Sequence, residues 1–356
     1  MRRIFAFLFF AFLLTGNIYS QDNQVATGFI DEPRKDGARF VFYNVENLFH
    51  PSDDSLTNDG DFTPTGIKGW SYGRYRKKLN NIYKTLINVG GWEPPDVVGF
   101  CEVESRKCMD DLLSKTPLGK FNYKIIHQES PDRRGIDVCC IYRPSKFQPV
   151  YFQAIHVFFP FEMSSKTRDI LYIKGTLLNR DTIHLFYNHW PSRYGGYVET
   201  IPKRNYAASV LKAFTDSLLK VNPNANLVIM GDFNDYPDDE SINKVLMASH
   251  DTTTLKPAGL YNLMYEKHKA GKEGSHKFHE HWGVLDQVIV SAPLLMRKDG
   301  LVIFPLFSVQ IYRSDFLLQP DEKFLGVTTF RTYYGATYLG GYSDHLPIYI
   351  DLKYTQ

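Results

Sequence analysis

Residues 227–235 constrain the fold more than any other segment, because an apolar run of strand length ends there abruptly in polar side chains. Leu227-Val228-Ile229-Met230-Gly231 has the composition of a buried strand, and Asp232 and Asn234 follow it two residues apart. In open α/β sheets, ligands bind at the carboxyl ends of strands. Side chains at i and i+2 of an extended segment point the same way, so both can address one substrate atom. A strand followed by an Asx-type turn explains the same residues without any function.

Five further segments combine a strand-like apolar run with adjoining polar residues. Taken singly, each has an ordinary structural explanation, such as a strand-end turn or a hydrogen-bonded core histidine. Glu102 and Asp286 are harder to explain in this way, because an ionisable group within an apolar strand needs a partner. Six such segments in one chain predict that the strand ends assemble a polar site. The polar residues of the five segments are Asn44, Glu46, Glu102, Glu104, Asn188, His189, Asp286, Asp344 and His345.

Residues 1–20 have the pattern of a secretory signal peptide. Arg2 and Arg3 form a positive region, an apolar run over Ile4–Leu14 follows, and small or polar residues precede Gln21. That run is too short to span a bilayer, and no later run approaches ~18 consecutive apolar residues, so no membrane span is expected. No Cys follows the leader, which argues against a lipoprotein anchor. We therefore expect the mature protein to be periplasmic or secreted.

The charge and the cysteine content exclude several classes of protein. The chain has 41 basic and 39 acidic residues, and two of the basic ones leave with the leader, so the mature net charge is near zero. The sequence therefore lacks the strong basic bias of many nucleic-acid-binding proteins, although a local basic groove stays compatible with it. The 4 cysteines are too few for a disulfide framework. A bridge from Cys101 to Cys139 or Cys140, between neighbouring strands, is the pairing to consider.

Short strands alternate with fewer, longer helices along the chain, and no linker, charge block or repeat divides it. Helices are expected from Ser71 to Asn88, over Tyr197–Lys220 and after Asp238, and residues 51–70 and 251–280 are expected to form long loops. This order indicates one α/β domain, a four-layered sandwich of two mainly antiparallel or mixed sheets flanked by helices. We assign it to residues 38–356, after an N-terminal extension at 21–37. The predicted strands are Arg39–Asn44, Asp96–Glu102, Tyr123–Gln128, Asp137–Tyr142, Leu171–Leu177, Thr182–Asn188, Asn226–Met230, Leu285–Val290, Val302–Ser308 and Leu346–Leu352.

The candidate site is rich in oxygen ligands and contains two imidazoles. The sequence has no Ser nucleophile elbow and no Walker loop. Carboxylate and amide oxygens suit Mg²⁺, Mn²⁺ or Ca²⁺ rather than zinc. Such a cation polarises a phosphoryl oxygen, an Asp orients water for in-line attack, and imidazolium groups neutralise the charge that develops. The chemistry that fits is hydrolysis of a phosphate ester.

The motifs, taken in chain order, resemble those of the endonuclease/exonuclease/phosphatase superfamily. This superfamily includes pancreatic-type DNases, apurinic endonucleases, bacterial sphingomyelinases and inositol polyphosphate phosphatases. The resemblance runs from about residue 38 to about residue 353, and it implies the sandwich fold and metal-dependent hydrolysis of phosphate esters, with Mg²⁺, or Mn²⁺ or Ca²⁺, as cofactor. The matching motifs are Tyr43-Asn44-Val45-Glu46-Asn47, Phe100-Cys101-Glu102-Val103, Asn188-His189, Gly231-Asp232-Phe233-Asn234, Leu285-Asp286-Gln287-Val288 and Ser343-Asp344-His345-Leu346-Pro347.

For the metal site, the resemblance implies that Glu102 is the principal ligand and that Asn44 orders the site and the nearby phosphate. Asp344 and Glu46 would complete the set. Glu46 stands where apurinic endonucleases have Asp, so this ligand is longer here, and Cys101 replaces the usual Gln beside Glu102.

For catalysis, the resemblance implies that Asp232 activates water and that Asn234 binds the phosphate. Asp286 would support His345, the terminal catalytic histidine. His189 would be the second catalytic histidine, as in the DNase-like and sphingomyelinase-like branches.

Asp137, in Gly135-Ile136-Asp137-Val138, is a candidate partner for His189, because a carboxylate pairs with that histidine in DNases. A salt bridge with Arg133 or Arg134 is an equal alternative. The sequence leaves both arrangements open.

The loop after His189 supplies the candidate substrate contacts. Arg193 is well shaped for bidentate contact with a phosphate, and Ser192 precedes it. Trp190 can stack on a base or a sugar, or it can pack the loop instead.

Fold alone does not choose among the substrates of this superfamily. Export favours degradation of external material over DNA repair, so the leading hypothesis is a secreted, monomeric, endonuclease-like enzyme that acts on nucleic acid. A sphingomyelinase-like lipid phosphodiesterase would need an exposed apolar-aromatic hairpin, for which Phe158–Phe161 is the candidate. A sugar- or inositol-phosphate phosphatase is a further alternative. A binding module that has lost catalysis would lack Glu102, Asp232 or His345, and all three are present.

Overall fold

Two large β-sheets, packed face to face, position the residues of the candidate site. The computed structural model describes residues 34–54, 56–297, 299–305 and 309–355. The predicted signal peptide at 1–20 and most of the predicted extension at 21–37 lie outside the described residues. Within them, no helix is both long enough and apolar enough to cross a membrane.

Twenty strands and five α-helices form the described part of the chain. The α-helices are α1 (Tyr72–Gly90), α2 (Arg106–Lys115), α3 (Tyr197–Val221), α4 (Tyr265–Ala270) and α5 (Pro293–Met296). Three short 3₁₀ turns lie at Gly60–Phe62, Pro117–Phe121 and Asp315–Leu317, and a π-helical turn lies at Ser241–Val245. The strands are β1 (Gly37–Leu48), β2 (Val97–Val103), β3 (Lys124–His127), β4 (Asp137–Tyr142), β5 (Phe147–Ile155), β6 (Ile170–Leu177), β7 (Asp181–His189), β8 (Asn226–Asp232), β9 (Ala248–Ser249), β10 (Leu260–Asn262), β11 (His276–Phe278), β12 (His281–Gly283), β13 (Asp286–Ser291), β14 (Gly300–Ile303), β15 (Gln310–Ile311), β16 (Leu318–Pro320), β17 (Val327–Thr329), β18 (Tyr333–Tyr334), β19 (Thr337–Tyr338) and β20 (Ile348–Thr355).

Sheet 1 has the strand order β14-β20-β1-β2-β4-β3, and β15 also pairs with β20. β1 and β2 are parallel, so Asn44 of β1 lies opposite Cys101 of β2. β20 runs antiparallel to β1, with Ile348 opposite Phe42. The carboxyl ends of β1 and β2 and the amino end of β20 therefore lie at one edge of the sheet.

Sheet 2 has the strand order β5-β6-β7-β8-β13-β10-β9. β7 and β8 are parallel, and β13 runs antiparallel to β8. Gly231 of β8 lies close to the backbone of β7, since a Cβ atom at this position would be 2.4 Å from the carbonyl oxygen of Asn188. The carboxyl ends of β7 and β8 and the amino end of β13 thus share one edge.

Alternation of side chains along the strands produces four layers. In β1, Phe40 and Phe42 belong to the core between the two sheets, whereas Val41 and Tyr43 belong to the core beneath α1 and α2. The outer face of sheet 2 packs against α3 in a third core. This period-two pattern is typical of strands whose two faces are both buried. The predicted four-layered α/β sandwich of two sheets flanked by helices is confirmed.

The two long helices form where the sequence predicts them. Ser71 caps α1, since its side chain accepts a hydrogen bond from the backbone N–H of Arg74. α3 begins at Tyr197 and ends at Val221. After Asp238, where a short helix is predicted, the chain makes the π-helical turn at Ser241–Val245.

The structure differs from the sequence prediction at strands that carry a weak apolar pattern. β5 was not predicted, because it is an edge strand whose residues are mostly exposed or half-buried. The predicted strand Val302–Ser308 ends at Ile303, since Pro305 has no N–H to donate to a ladder. The predicted loop 251–280 contains β10, α4 and β11.

All four cysteines are buried and carry free thiols. Cys101 and Cys140 lie in the core between the two sheets, and Cys108 and Cys139 lie in the core beneath α1 and α2. The bridge from Cys101 to Cys139 or Cys140 is therefore not formed, and these side chains act as small apolar residues.

Candidate active site

Three of the predicted catalytic residues lie in a row across sheet 2. His189 ends β7, Asp232 ends β8, and the two lie opposite each other in the parallel pair. Asp286 begins β13 and lies opposite Asp232 in the antiparallel pair. Strand register therefore brings together residues that are far apart in the sequence.

Sheet 1 brings Asn44 and Glu102 to the same place. The side-chain amide of Asn44 donates to Asp232 Oδ2 at 3.1 Å and lies 3.4 Å from Glu102 Oε1. Glu102 has a φ of 61° at an irregularity in the β2–β4 pairing, and its Oε2 accepts the backbone N–H of Asn47 at 2.9 Å. The irregular backbone aims this carboxylate at the point where the two sheets meet.

Asp232 is the centre of the cluster. Its Oδ2 lies 3.8 Å from His189 Nε2 and 3.8 Å from His345 Nε2, in addition to the contact with Asn44. Its Oδ1 accepts the backbone N–H of Asn234 at 3.0 Å. Burial raises the pKa of Asp232 to about 6, although the nearby charge of His345 opposes the shift. One carboxylate oxygen therefore faces three polar side chains.

His345 is oriented by Asp286. Its Nδ1 lies 2.6 Å from Asp286 Oδ2, and its backbone N–H donates to Ser343 Oγ, which in turn donates to the carbonyl of Asn44 at 2.7 Å. Burial alone would lower the pKa of His345, but Asp286 and Asp232 raise it well above its usual value. Nε2 is thus directed toward Asp232, and the imidazolium form is favoured.

His189 differs from His345 in its charge state. Its Nε2 lies 3.9 Å from Glu102 Oε1, and its Nδ1 is buried without a hydrogen-bond partner among the described residues. Burial lowers the pKa of His189 well below its usual value, and the positive charges of Arg168 and Arg134 lower it further. Burial thus favours the neutral form of His189, whereas the neighbouring carboxylates favour the imidazolium form of His345.

The predicted pairing of Asp137 is not found. Its Oδ2 lies 3.0 Å from His127 Nε2, and its Oδ1 accepts the backbone N–H of Ser130 at 2.7 Å. The antiparallel pairing of β3 with β4 places His127 beside this carboxylate. Asp137 is therefore the partner of His127 rather than of His189 or of the neighbouring arginines.

Trp190 and Asn234 support the site from within the protein. The Trp190 side chain is 1% exposed, and its ring packs edge-on against Phe233 at 4.7 Å. Asn234 has a φ of 52°, and its amide donates to the carbonyl of Trp190 at 3.0 Å. In this structure Trp190 packs the loop, which is one of the two roles that the sequence leaves open for it.

Arg193 and Ser192 lie at the rim of the site. Arg193 Nε donates to the carbonyl of Asn234 at 2.7 Å, and its Nη2 donates to Asp239 at 3.0 Å. Ser192 is exposed. The guanidinium of Arg193 is thus held beside Asn234 by the protein itself.

Arg331, which was not predicted, joins two of the predicted metal ligands. Its Nη2 donates to Asp344 Oδ2 at 2.9 Å, and its Nε lies 3.6 Å from Glu46 Oε1. The Glu46 carboxylate also accepts the backbone N–H groups of Thr332 at 2.6 Å and Tyr333 at 3.2 Å. Burial raises the pKa of Glu46, and the charge of Asp344 raises it further. Glu46 therefore anchors the segment that carries Arg331, Thr332 and Tyr333, as well as facing the site.

Lys78 of α1 is a second residue that was not predicted. Its Nζ donates to Thr332 Oγ1 at 2.5 Å and to the carbonyl of Tyr342 at 2.6 Å. Burial lowers the pKa of Lys78 to about 8, although the carboxylate of Glu46 opposes the shift. The available signal was its position on the apolar face of the helix, four residues before Ile82.

His276 of β11 is a third such residue. Its ring centroid lies 4.8 Å from that of His345, and the two residues form an isolated backbone bridge. Burial and the charge of His345 lower the pKa of His276 to about 3. No local pattern identified it, because it lies in the segment predicted as a long loop.

The donor set fits a hard divalent cation. Carboxylate oxygens of Glu102 and Asp344 lie around the junction of the two sheets, whereas Asn44 directs its amide N–H groups there and its Oδ1 accepts the backbone N–H of Glu46 at 3.0 Å. Buried Asp286 Oδ1 has no hydrogen-bond partner in the described structure. Such oxygens with a few imidazoles are suited to Mg²⁺, Mn²⁺ or Ca²⁺. At this site two groups of side chains each bring three possible ligand atoms within 4.8 Å of one another, namely His276 with Asp344 and His345, and Asp232 with Asp286 and His345.

Solved structures share this fold at low sequence identity. An endonuclease/exonuclease/phosphatase from Bacteroides vulgatus is 13% identical, with 90% of this chain and 100% of that chain covered and a TM-score of 0.52. D. rerio TDP2 complexed with single strand DNA product is 15% identical, with 89% of this chain and 99% of that chain covered and a TM-score of 0.52. The human Nocturnin catalytic domain with bound sulfate anion is 16% identical, with 90% of this chain and 95% of that chain covered and a TM-score of 0.50. At these identities, the likeness shows the fold alone.

The sequence itself identifies the family. No curated protein has significant similarity to the chain. Residues 39–354 match the Endonuclease/Exonuclease/phosphatase family, which is nearly the whole of the described structure. The chain therefore belongs to the endonuclease/exonuclease/phosphatase family, whose members are metal-dependent hydrolases that act on phosphate esters.

Proposed function

We propose that the protein is an exported phosphodiesterase that hydrolyses nucleic acid by in-line attack of water. The observation that carries this proposal is the position of Asp232 Oδ2, which lies 3.1 Å from the Asn44 amide and 3.8 Å from each of two imidazoles. Membership of the family supports hydrolysis of a phosphate ester. Export rests on the leader pattern at residues 1–20, and it favours substrates outside the cytoplasm.

In this mechanism Asp232 accepts a proton from the attacking water through Oδ2. The water oxygen bonds to phosphorus while the ester P–O bond on the opposite side breaks. His345, oriented by Asp286, places Nε2 where it neutralises charge on the phosphoryl group and protonates the leaving oxygen. His189 donates a hydrogen bond to the same group, and Asn234 and Arg193 fix the phosphate at the rim.

Glu102, Asp344 and Glu46 would hold the cation, with Mg²⁺ first and Mn²⁺ or Ca²⁺ as alternatives. Asn44, the fourth residue of the predicted set, turns its amide N–H groups rather than its oxygen toward the site. When bound, the cation polarises a phosphoryl oxygen and stabilises the leaving oxygen. The Asn44 amide contacts both Asp232 and Glu102, so it fixes the water-activating carboxylate relative to the principal ligand.

D. rerio TDP2 shares this fold and was solved with a single strand DNA product, so the fold can accommodate nucleic acid. A sphingomyelinase-like lipid phosphodiesterase is the second candidate, and one observation favours it. Phe158 and Phe161 are exposed on either side of buried Phe159, and Met163 is exposed nearby. Exposed apolar side chains of this kind insert into the interface of a membrane.

Metal-dependent assays on several substrates test the proposal. The mature protein is incubated with Mg²⁺, Mn²⁺ or Ca²⁺ and plasmid DNA, RNA, sphingomyelin or inositol phosphates. We expect cleavage of nucleic acid that is lost with EDTA and in Asp232→Asn, but retained in the exposed-surface control Asp110→Asn. Cleavage of sphingomyelin or inositol phosphate alone would replace the proposed substrate class. Absence of metal-dependent, Asp232-sensitive hydrolysis on every substrate would overturn the enzymatic proposal.

A further inference from the structure

A cavity of about 670 Å³ adjoins the candidate active site. It lies between the β11–β12 ribbon and the β16–β17 ribbon, with the segment after β17 as its inner wall. Its volume is in the range of small-molecule sites. The residues that define it for the argument are Lys277, Phe278, Phe324, Arg331 and Tyr334.

Two residues connect the cavity to the catalytic residues. Arg331 lines it and donates to Asp344 Oδ2 at 2.9 Å. Lys277 also lines it and follows His276, whose backbone bridges to His345. A ligand with its phosphate at the catalytic residues can therefore extend past Arg331 into the cavity.

The walls of the cavity are held in place. Lys277 Nζ donates to Asp321 at 2.7 Å and to the carbonyl of Leu325 at 3.2 Å, which ties the two ribbons together. The Lys277 side chain is 2% exposed, so this ion pair is shielded from solvent. The shape of the cavity is thus largely preformed, which lowers the entropic cost of binding.

Aromatic rings dominate one side of the cavity. Phe278 stacks on His279 with ring centroids 4.2 Å apart, and His279 lies 4.9 Å from Phe324. Phe278 is nevertheless 65% exposed, and Tyr334 in the same lining is 63% exposed. Clustered exposed rings of this kind mark binding surfaces, because a flat ligand can cover their faces.

The charges along the lining are compensated when the adjoining Asp344 is included. Lys277 is paired with Asp321 and Arg331 with Asp344. Lys323, which follows Glu322 in the lining, places Nζ 5.3 Å from the centroid of the Phe324 ring. A wall without excess positive charge is suited to a neutral aromatic group rather than to a second phosphate. A nucleotide combines such a group with a phosphate on a short sugar linker.

We infer that this cavity is a nucleobase subsite, in which the base next to the scissile phosphate stacks on the Phe278–His279–Phe324 rings while its phosphate lies at the catalytic residues. The inference rests on the proposed hydrolysis of nucleic acid for the direction in which the substrate lies. Stacking recognises the π face that all bases share, so the subsite would accept different bases.

Equilibrium binding tests the subsite without requiring turnover. AMP and ribose 5-phosphate are titrated by calorimetry into the mature protein in the Asp232→Asn background, which keeps both probes intact. We expect AMP to bind at least about tenfold more tightly than ribose 5-phosphate, and Phe278→Ala and Tyr334→Ala to remove most of that difference. The matched control is Trp92→Ala, since Trp92 is 71% exposed and lies before the amino end of β2, away from the site.

Kinetics on two small diesters provides an independent arm. Thymidine 5′-(4-nitrophenyl phosphate) carries a base, whereas methyl 4-nitrophenyl phosphate carries none. With otherwise wild-type protein, we expect Phe278→Ala to lower kcat/KM about tenfold more on the first diester than on the second, a difference between substrates that general misfolding would not produce.

Three results would overturn the subsite. These are equal affinity for AMP and ribose 5-phosphate, an equal effect of Trp92→Ala and Phe278→Ala, and Phe278-dependent binding to sphingomyelin vesicles without any preference for AMP. Base-dependent binding of AMP by a protein that hydrolyses no diester would support the subsite and refute the proposed function. Hydrolysis of both diesters without base-dependent binding of AMP would support the proposed function and refute the subsite.

Discussion

Asp232 is the residue on which the proposed chemistry depends most. Asp232→Asn keeps the shape of the side chain but cannot accept a proton from water, so we expect hydrolysis to fall by about 10²–10⁴-fold. The change also removes a buried negative charge that lies close to Glu102 and Asp286, so the thermal midpoint should not fall. Initial rates and calorimetric melts check both expectations. A variant that keeps most of its activity, or one that melts well below Asp110→Asn, would contradict them.

His184, which lies outside the site, allows a prediction about how the unfolding free energy depends on pH. Burial lowers the pKa of His184 to about 4 from its usual 6.5, and the charge of Lys174 lowers it further. Between pH 4 and pH 6.5 the unfolded chain therefore binds more protons at His184 than the folded chain does. The stability that comes from keeping His184 neutral is intact above pH 6.5 and is lost as the pH falls toward 4. Chemical denaturation of wild type, His184→Gln and the exposed control His281→Gln at pH 4.5, 5.5 and 7 checks it. As the pH falls, we expect the unfolding free energy of His184→Gln to decline less steeply than that of the wild type or of His281→Gln.

At the scale of elements, the parallel contact of β7 with β8 sets the geometry of the site. A Cβ atom at Gly231 would lie 2.4 Å from the carbonyl oxygen of Asn188, one residue before His189 and Asp232 in the respective strands. Gly231→Ala must therefore push the two strand ends apart. We expect a loss of about 1–3 kcal/mol in unfolding free energy together with a clear loss of activity.

The matched control for this prediction is Gly73→Ala in the first turn of α1. A Cβ atom there meets only the Ser71 hydroxyl, at an ordinary 3.7 Å. Because alanine is the better helix former, the control should be neutral or stabilising by up to about 1 kcal/mol. Equal melting curves for the two variants would show that the close approach of β7 to β8 has no energetic importance.

At the scale of the whole molecule, the proposed active site spans both sheets, since the cation ligand Glu102 belongs to sheet 1 and the water-activating Asp232 belongs to sheet 2. A cation that binds only the folded chain stabilises it by mass action, by about 2.7 kcal/mol when its concentration is 100 times the dissociation constant. We therefore expect Mg²⁺ to raise the melting temperature of the wild type relative to EDTA.

Glu102→Gln should remove most of that increase, whereas the exposed control Glu266→Gln should keep it. Differential scanning calorimetry in about 10 mM MgCl₂ or about 10 mM EDTA makes the comparison. The same increase in all three proteins would place the stabilising cation elsewhere in the molecule.

Local patterns in the sequence determined the elements and the neighbourhood of the site. The alternation in β1 and β8, the Ser71 cap of α1 and the abrupt polar ends of the strands are short-range features, and they depend only on backbone periodicity and burial of one face or both. The motifs at the strand ends are also short-range features, and their resemblance to those of the superfamily implied the sandwich fold. Edge strand β5 was missed because exposed residues leave no such pattern.

The tertiary structure alone decided which side chains meet and which of them are charged. Asp137 contacts His127 instead of His189 because of the pairing of β3 with β4, which no local pattern encodes. Lys78 and Arg331 come from a helix and a loop that are distant in sequence, yet they meet the same cluster of carboxylates. The opposite pKa shifts of His189 and His345 arise from burial and from the arginines or carboxylates beside each ring. Desolvation and Coulomb interactions depend on the complete fold, so the sequence could name the two histidines but not assign their protons.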